Sequence, residues 1–96
     1  MVKMVIEKAT AKNKKWKAIF YDGDKKLKTV QFGSVGMSDF TIHKDKERKQ
    51  RYLDRHKKRE NWNDPMTAGA LSRWILWNKP TLEGSIKDFK KRFKLK

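Results

Sequence analysis

One window limits what this chain can fold into. Residues 61–86, "NWNDPMTAGALSRWILWNKPTLEGSI", hold two basic and two acidic side chains, a formal charge of zero, in a chain whose net charge is +15. The segments 1–42, 43–60 and 87–96 carry +5 each. Trp62, Trp74 and Trp77, three of the four tryptophans, fall in the neutral window. A chain of 96 residues buries only about 60–65% of its unfolded surface, so its core is thin. The neutral window must supply the centre of that core, and each charged segment has to bring one apolar stripe against it.

The N-terminal third reads as strands. "VKMVIEK" alternates, with Val2, Met4 and Ile6 on one face and Lys3, Val5 and Glu7 on the other. "KKWKAIFY" and "LKTVQFG" follow, separated by the turn residues "DGDK". An antiparallel register that pairs Trp16 with Phe32, Ala18 with Val30 and Phe20 with Lys28 gives a short loop around Gly23–Lys25. It places Trp16, Ala18, Phe20, Val30 and Phe32 on one side and Lys15, Lys17, Ile19, Tyr21, Thr29 and Gln31 on the other. The expectation is a three-stranded antiparallel meander over residues 2–33 with one buried face. Phe40 and Ile42 then anchor the chain to the core.

Three helices are expected beyond it. The first spans 44–60, free of Gly, Pro and Val, with Asp45 and Glu47 suited to the dipole of its first turn. The second spans 65–77, with Asp64–Pro65 as cap and first residue and with Asn78 and Pro80 as its stop. Met66, Ala70, Leu71, Trp74, Ile75 and Trp77 cover more than half its circumference, the mark of a mostly buried helix. The third spans 82–94, capped by Thr81, with Leu82, Ile86, Phe89 and Phe93 on one stripe and lysines elsewhere. Gly84 weakens its first turn. The fold class is therefore α+β: a β-meander packed against about three helices in one domain. Trp74 and Trp77 read as the centre of the core in preference to a ligand surface, and Trp62 as a staple before the second helix or, if exposed, as a ring that stacks on a base.

The helix 44–60 carries the clearest functional signal. At 100° per residue, Lys44, Arg48, Arg51, Arg55, Lys58 and Arg59 fall within about a third of the circle. Arginines one turn apart suit successive phosphates, to which the planar guanidinium offers two parallel donors. A solvated face laced by Asp45–Lys49, Glu47–Arg51 and Asp54–Lys58 pairs is the alternative, but three such pairs leave much of the charge uncompensated. Further basic surface lies in "KNKKWK" with Lys15 and Lys17, in "DKKLK", and in "KDFKKRFKLK" with Lys90 and Lys91. Lysines of this kind bind a nucleic-acid backbone by counterion release and read no bases. Tyr21 alone on an open sheet face is little beside the several stacking rings of an RNA-binding sheet.

Other chemistries find no support. The chain has no cysteine, which excludes disulfides and thiolate catalysis. His43 and His56 are thirteen residues apart, so they form no i,i+4 metal pair, and "HKKRENWND" offers no second ligand group at useful spacing. No catalytic residue, metal or cofactor is expected, and the protein reads as no enzyme. The N-terminal stretch has no apolar region of signal-peptide length. The longest apolar run, Trp74–Trp77, is far short of a membrane span. A soluble, intracellular protein without membrane insertion is the expectation.

The run from "VQFG" through "SDFTIHKDKERKQRYLDRHKKRENWNDPMTAGALSRWILWNKPTL" to "SIKDFKKRF" resembles a family of small basic proteins of unknown function encoded by large double-stranded DNA viruses of eukaryotes. The resemblance covers about residues 28–94, most specifically "SDFTIHKD" and "RHKKRENW" to "WILWNKPTL", and more loosely "KKWKAIF". It implies a virion or an infected cell, in nucleus or cytoplasm, as the setting. It carries no catalytic residues. Charge supplies the functional expectation: binding of nucleic acid, double-stranded DNA foremost, through phosphates and with little sequence preference, as in genome condensation or packaging. A homodimer would double the basic surface. The alternative is a virion structural protein whose basic face binds an acidic protein or a membrane-associated layer.

Overall fold

The computed structural model describes residues 1–96. Three strands, β1 (Val2–Lys8), β2 (Lys14–Asp22) and β3 (Lys25–Ser34), form an antiparallel sheet in the order β1-β2-β3. Trp16 pairs with Phe32, Ala18 with Val30 and Phe20 with Lys28, the register expected from alternation. A bulge between Phe20 and Tyr21 carries the pairing into the turn, where Gly23 takes a φ of 61°. Met4, Ala18, Phe20, Val30 and Phe32 are buried on the inner face. The outer face is not wholly open. Ile19, expected there among solvated neighbours, is 6% exposed, because Val5 and Thr29 flank it across both ladders.

The helical layer follows. A one-turn helix, α1 (Phe40–His43), precedes α2 (Lys46–His56). Then come α3 (Ala68–Leu71), continuing into a π turn (Ser72–Leu76), and α4 (Leu82–Arg92). Leu71, Ile75 and Leu76 close on the sheet together with Phe89 of α4, and these four join five sheet residues in one apolar cluster. The molecule is thus α+β, a meander covered by helices. None of them is long and apolar enough to cross a membrane.

Several boundaries differ from expectation, each for a local reason. The helix expected over 44–60 is shorter, Lys46–His56, and a separate one-turn helix, Phe40–His43, precedes it. Asp39 caps α1, accepting from the Thr41 amide at 2.9 Å and from the Thr41 hydroxyl. Lys44 then turns left-handed at φ 55°, and Asp45 caps α2 through the amides of Glu47 and Arg48. With α1 in place Phe40 is buried, while Ile42 points outward at 60% exposed instead of anchoring the chain. The helix expected from residue 65 starts later. Asp64 closes a turn onto the Met66 amide at 3.1 Å, and Thr67 is the cap, bonding the Ala70 amide at 3.2 Å. Thr81 caps α4 as expected, through the Gly84 amide at 3.1 Å.

Trp74 and Trp77 are not the centre of the core. Both are half-buried around its edge. The π turn, closed by the Trp77 amide on the Ser72 carbonyl at 3.1 Å, brings residues five apart above one another. It therefore sets Leu76 beneath Leu71 and moves both indoles outward. Trp74 donates its indole N–H to the Trp62 carbonyl at 2.8 Å, and Trp62 donates its own to Glu60 at 2.9 Å. Trp62 is thus tied into the structure.

Candidate nucleic-acid interface

A column of rings fixes how α2 is rotated. Tyr52, 7% exposed, stacks on Trp77 with centroids 4.3 Å apart and planes 4° from parallel. His56 lies on its other side at 4.3 Å, and His43 meets Trp77 at 5.3 Å. The two histidines are therefore at the ends of one aromatic column. Burial, and then the nearby Glu60 carboxylate, push the Tyr52 hydroxyl well above its ordinary range.

With Tyr52 turned inward, Arg48, Arg51 and Arg55 emerge along one flank, all exposed. They span about 10 Å of helix axis. None of them is in an ion pair. Asp45 is the cap, and Asp54 accepts from Gln50 at 3.0 Å. Lys49 donates instead to the Asn78 carbonyl at 2.8 Å. None of the three i,i+4 pairs that would have made this a merely solvated face forms. The arginines, with Asp54 among them, border a groove of about 370 Å³ whose far wall is Met37, Ser38 and Trp77. Met37 is 66% exposed there.

The other expected residues divide. Lys58 and Arg59 lie in the turn just past α2 and are exposed, extending the arginine row in sequence though not as helix. Lys44 is off α2, and its ammonium bonds the Thr41 carbonyl at 3.1 Å. Lys15 is engaged in an ion pair with Asp39 at 2.7 Å, both side chains being largely buried. It secures the α1 cap and drops out of the basic surface. Lys17 sits 3.6 Å from Glu7. Lys91 is exposed and Lys90 half-buried on α4, which packs on the π turn. Only Arg48, Arg51 and Arg55 are brought together by one element.

A second groove, of about 530 Å³, runs along the opposite flank of α2 and takes in Lys44, Lys46, Lys49 and Arg73. Sequence reasoning passed over it. Helical spacing alone separates Lys46 and Lys49 from the arginine row by about half a turn, but Arg73 arrives from the π turn, and only the tertiary fold joins them. Burial first, and then Arg73, Lys79 and Lys46, lower the Lys49 ammonium below its ordinary range. Burial first, and then Arg92, do the same to Arg73.

No curated protein and no solved structure matches the chain. A family model described as a family of unknown function (DUF5754) matches residues 4–56, from the first strand to the end of α2. That match takes in all of the sheet but Val2 and Lys3, includes the arginine row and covers more than half of the chain, which belongs to this family of unknown function.

Proposed function

We propose that the protein binds nucleic acid without catalysing a reaction, and that its partner is double-stranded DNA held by its phosphates with little sequence preference. The observation that carries this reading is the row Arg48, Arg51 and Arg55, exposed on one flank of α2 with no acidic partner. An unpaired guanidinium row is an electrostatic cost to a chain already at +15, and a phosphate backbone offsets it. Phosphate contacts position a protein on the duplex and carry no sequence information. In the viral setting that the sequence resemblance implies, the use is condensation or packaging of the genome in an infected cell or virion.

Affinity for two unrelated duplexes, measured by fluorescence anisotropy across a salt series, tests this. Arg48, Arg51 and Arg55 with Lys58 and Arg59 supply about five contacts, for a slope of log K against log salt near −4.5. Changing Arg48 and Arg51 together to Ala reduces the slope by about two and weakens both duplexes alike. Changing Lys90 and Lys91 to Ala weakens binding less. Equal losses from the two pairs mean a diffuse positive coat. No loss from the arginine pair, or no duplex affinity beside tight binding of an acidic protein, favours the virion structural role instead.

A further inference from the structure

The groove on the far flank of α2 has properties of its own. Four cations, Lys44, Lys46, Lys49 and Arg73, line it, and no carboxylate does. Three of the four are bonded to backbone carbonyls, Lys44 to that of Thr41 at 3.1 Å. Lys49 is anchored by the Asn78 carbonyl at 2.8 Å and lies 4.9 Å over the Phe40 ring. Arg73 is anchored by the Trp77 carbonyl at 2.9 Å and stacks 4.1 Å over the Trp74 ring. Both are partly desolvated, and both have lowered pKa values to which neighbouring cations contribute. Lys46 is exposed and makes no hydrogen bond or ion pair. Backbone carbonyls thus hold two ammonium groups and one guanidinium in a concavity with no carboxylate in its lining, where Asp88, outside that lining, offsets part of the repulsion on Arg73. Such pre-organised, converging donors are what a compact anion requires.

We infer that this groove binds linked phosphates, as in inorganic tripolyphosphate or the triphosphate of a nucleotide, at a site separate from the arginine row. A single phosphate leaves most of the four-cation repulsion in place, whereas two or three linked phosphates match it. The groove volume, about 530 Å³, holds such a chain. Phe40, Leu53 and Pro80 give it an apolar side on which a base can rest. The site goes beyond the DNA-binding reading and stands whether or not that reading does.

Calorimetric titration at fixed ionic strength tests it, with tripolyphosphate, ATP and orthophosphate as probes. Tripolyphosphate is expected to saturate one site at least about tenfold more tightly than orthophosphate, since each added charged hydrogen bond is worth about a factor of ten or more. Lys46→Gln and Lys49→Gln each weaken it by about tenfold. Lys3→Gln, the same loss of charge on β1, changes it by less than about twofold. Lys46 is free of structural contacts, so that variant remains informative if Lys49→Gln fails to fold. ATP binding more tightly than tripolyphosphate adds the base to the site, and equal affinity assigns the phosphates alone. Unsaturable binding, or equal losses from Lys46→Gln and Lys3→Gln, overturns the inference.

Discussion

Tyr52 shows how much one residue can carry. Its ring joins α2 to the π turn, and its hydroxyl is held in the protonated form by burial and by Glu60. The unfolded chain releases that proton near pH 10, while the folded chain keeps it to higher pH. The stability it contributes is therefore fully present below pH 10 and is lost as pH rises beyond that point. Lys49, lowered on folding, acts in the opposite sense as pH approaches its ordinary value. Comparing wild type with Tyr52→Phe cancels that contribution. Denaturant unfolding between pH 8 and about 11 is expected to show the two proteins diverging above about pH 10, with the wild type losing more. Glycines give a second comparison. Gly33 sits at φ 79°, and a Cβ there would lie 2.9 Å from the Leu76 side chain. Gly23 sits at φ 61° with nothing within 4 Å. Gly23→Ala bears only the backbone strain, about 1–2 kcal/mol. Gly33→Ala bears that and a displaced core leucine, so thermal unfolding is expected to show the larger drop at Gly33.

Among the elements, the sheet was the most legible in sequence. Trp16, Ala18 and Phe20 recur at every second position and face Phe32, Val30 and Lys28 across a short turn, so period and turn length left one register. The helices were legible in existence and less so in their ends. Nothing in "TIHKDK" announces that Lys44 is left-handed, because that conformation follows from two aspartate caps, at Asp39 and Asp45, competing within seven residues. The π turn was illegible. An ideal 100° step puts Leu76 to one side of Leu71, and only the wider turn places it inside, 3% exposed. Leu76→Ala is therefore expected to cost about 2–5 kcal/mol in chemical denaturation, as for a core leucine. A loss under about 0.5 kcal/mol, the ordinary surface value, would show the α register to be the true one. The arginine row of α2 was visible in sequence because Arg48, Arg51 and Arg55 share one helix. Lys15 was misplaced because its partner Asp39 lies 24 residues away.

At the scale of the whole molecule, charge is the governing quantity. Four ion pairs, one of them through His56, do little against a formal charge of +15. Self-repulsion opposes the compact state, and the Debye length shrinks from about 10 Å at 0.1 M salt to about 3 Å at 1 M. Thermal unfolding followed by circular dichroism is expected to shift upward when sodium chloride rises through that range. Affinity for duplex DNA falls over the same series. Salt thus stabilises the fold and weakens the complex. A melting temperature that falls with salt would mean that attractive pairs outweigh the repulsion. The total charge was plain from composition. Its division into two flanks of one helix was not, because the second flank is completed by Arg73 from another element.

The π turn has a consequence best counted in codons. Ser72–Leu76 holds one residue more than an α-helical turn needs to close. Leu71 before it and the stacked indole after it are in phase only while that surplus residue is present. Loss of three nucleotides within this stretch, leaving the reading frame intact, would restore an ordinary helix and bring Trp77 one residue early. The indole would then miss Tyr52, and α2 would lose the ring that sets its rotation. Length is thus heritable information here in its own right, and a substitution scan across these five positions, however complete, never samples it.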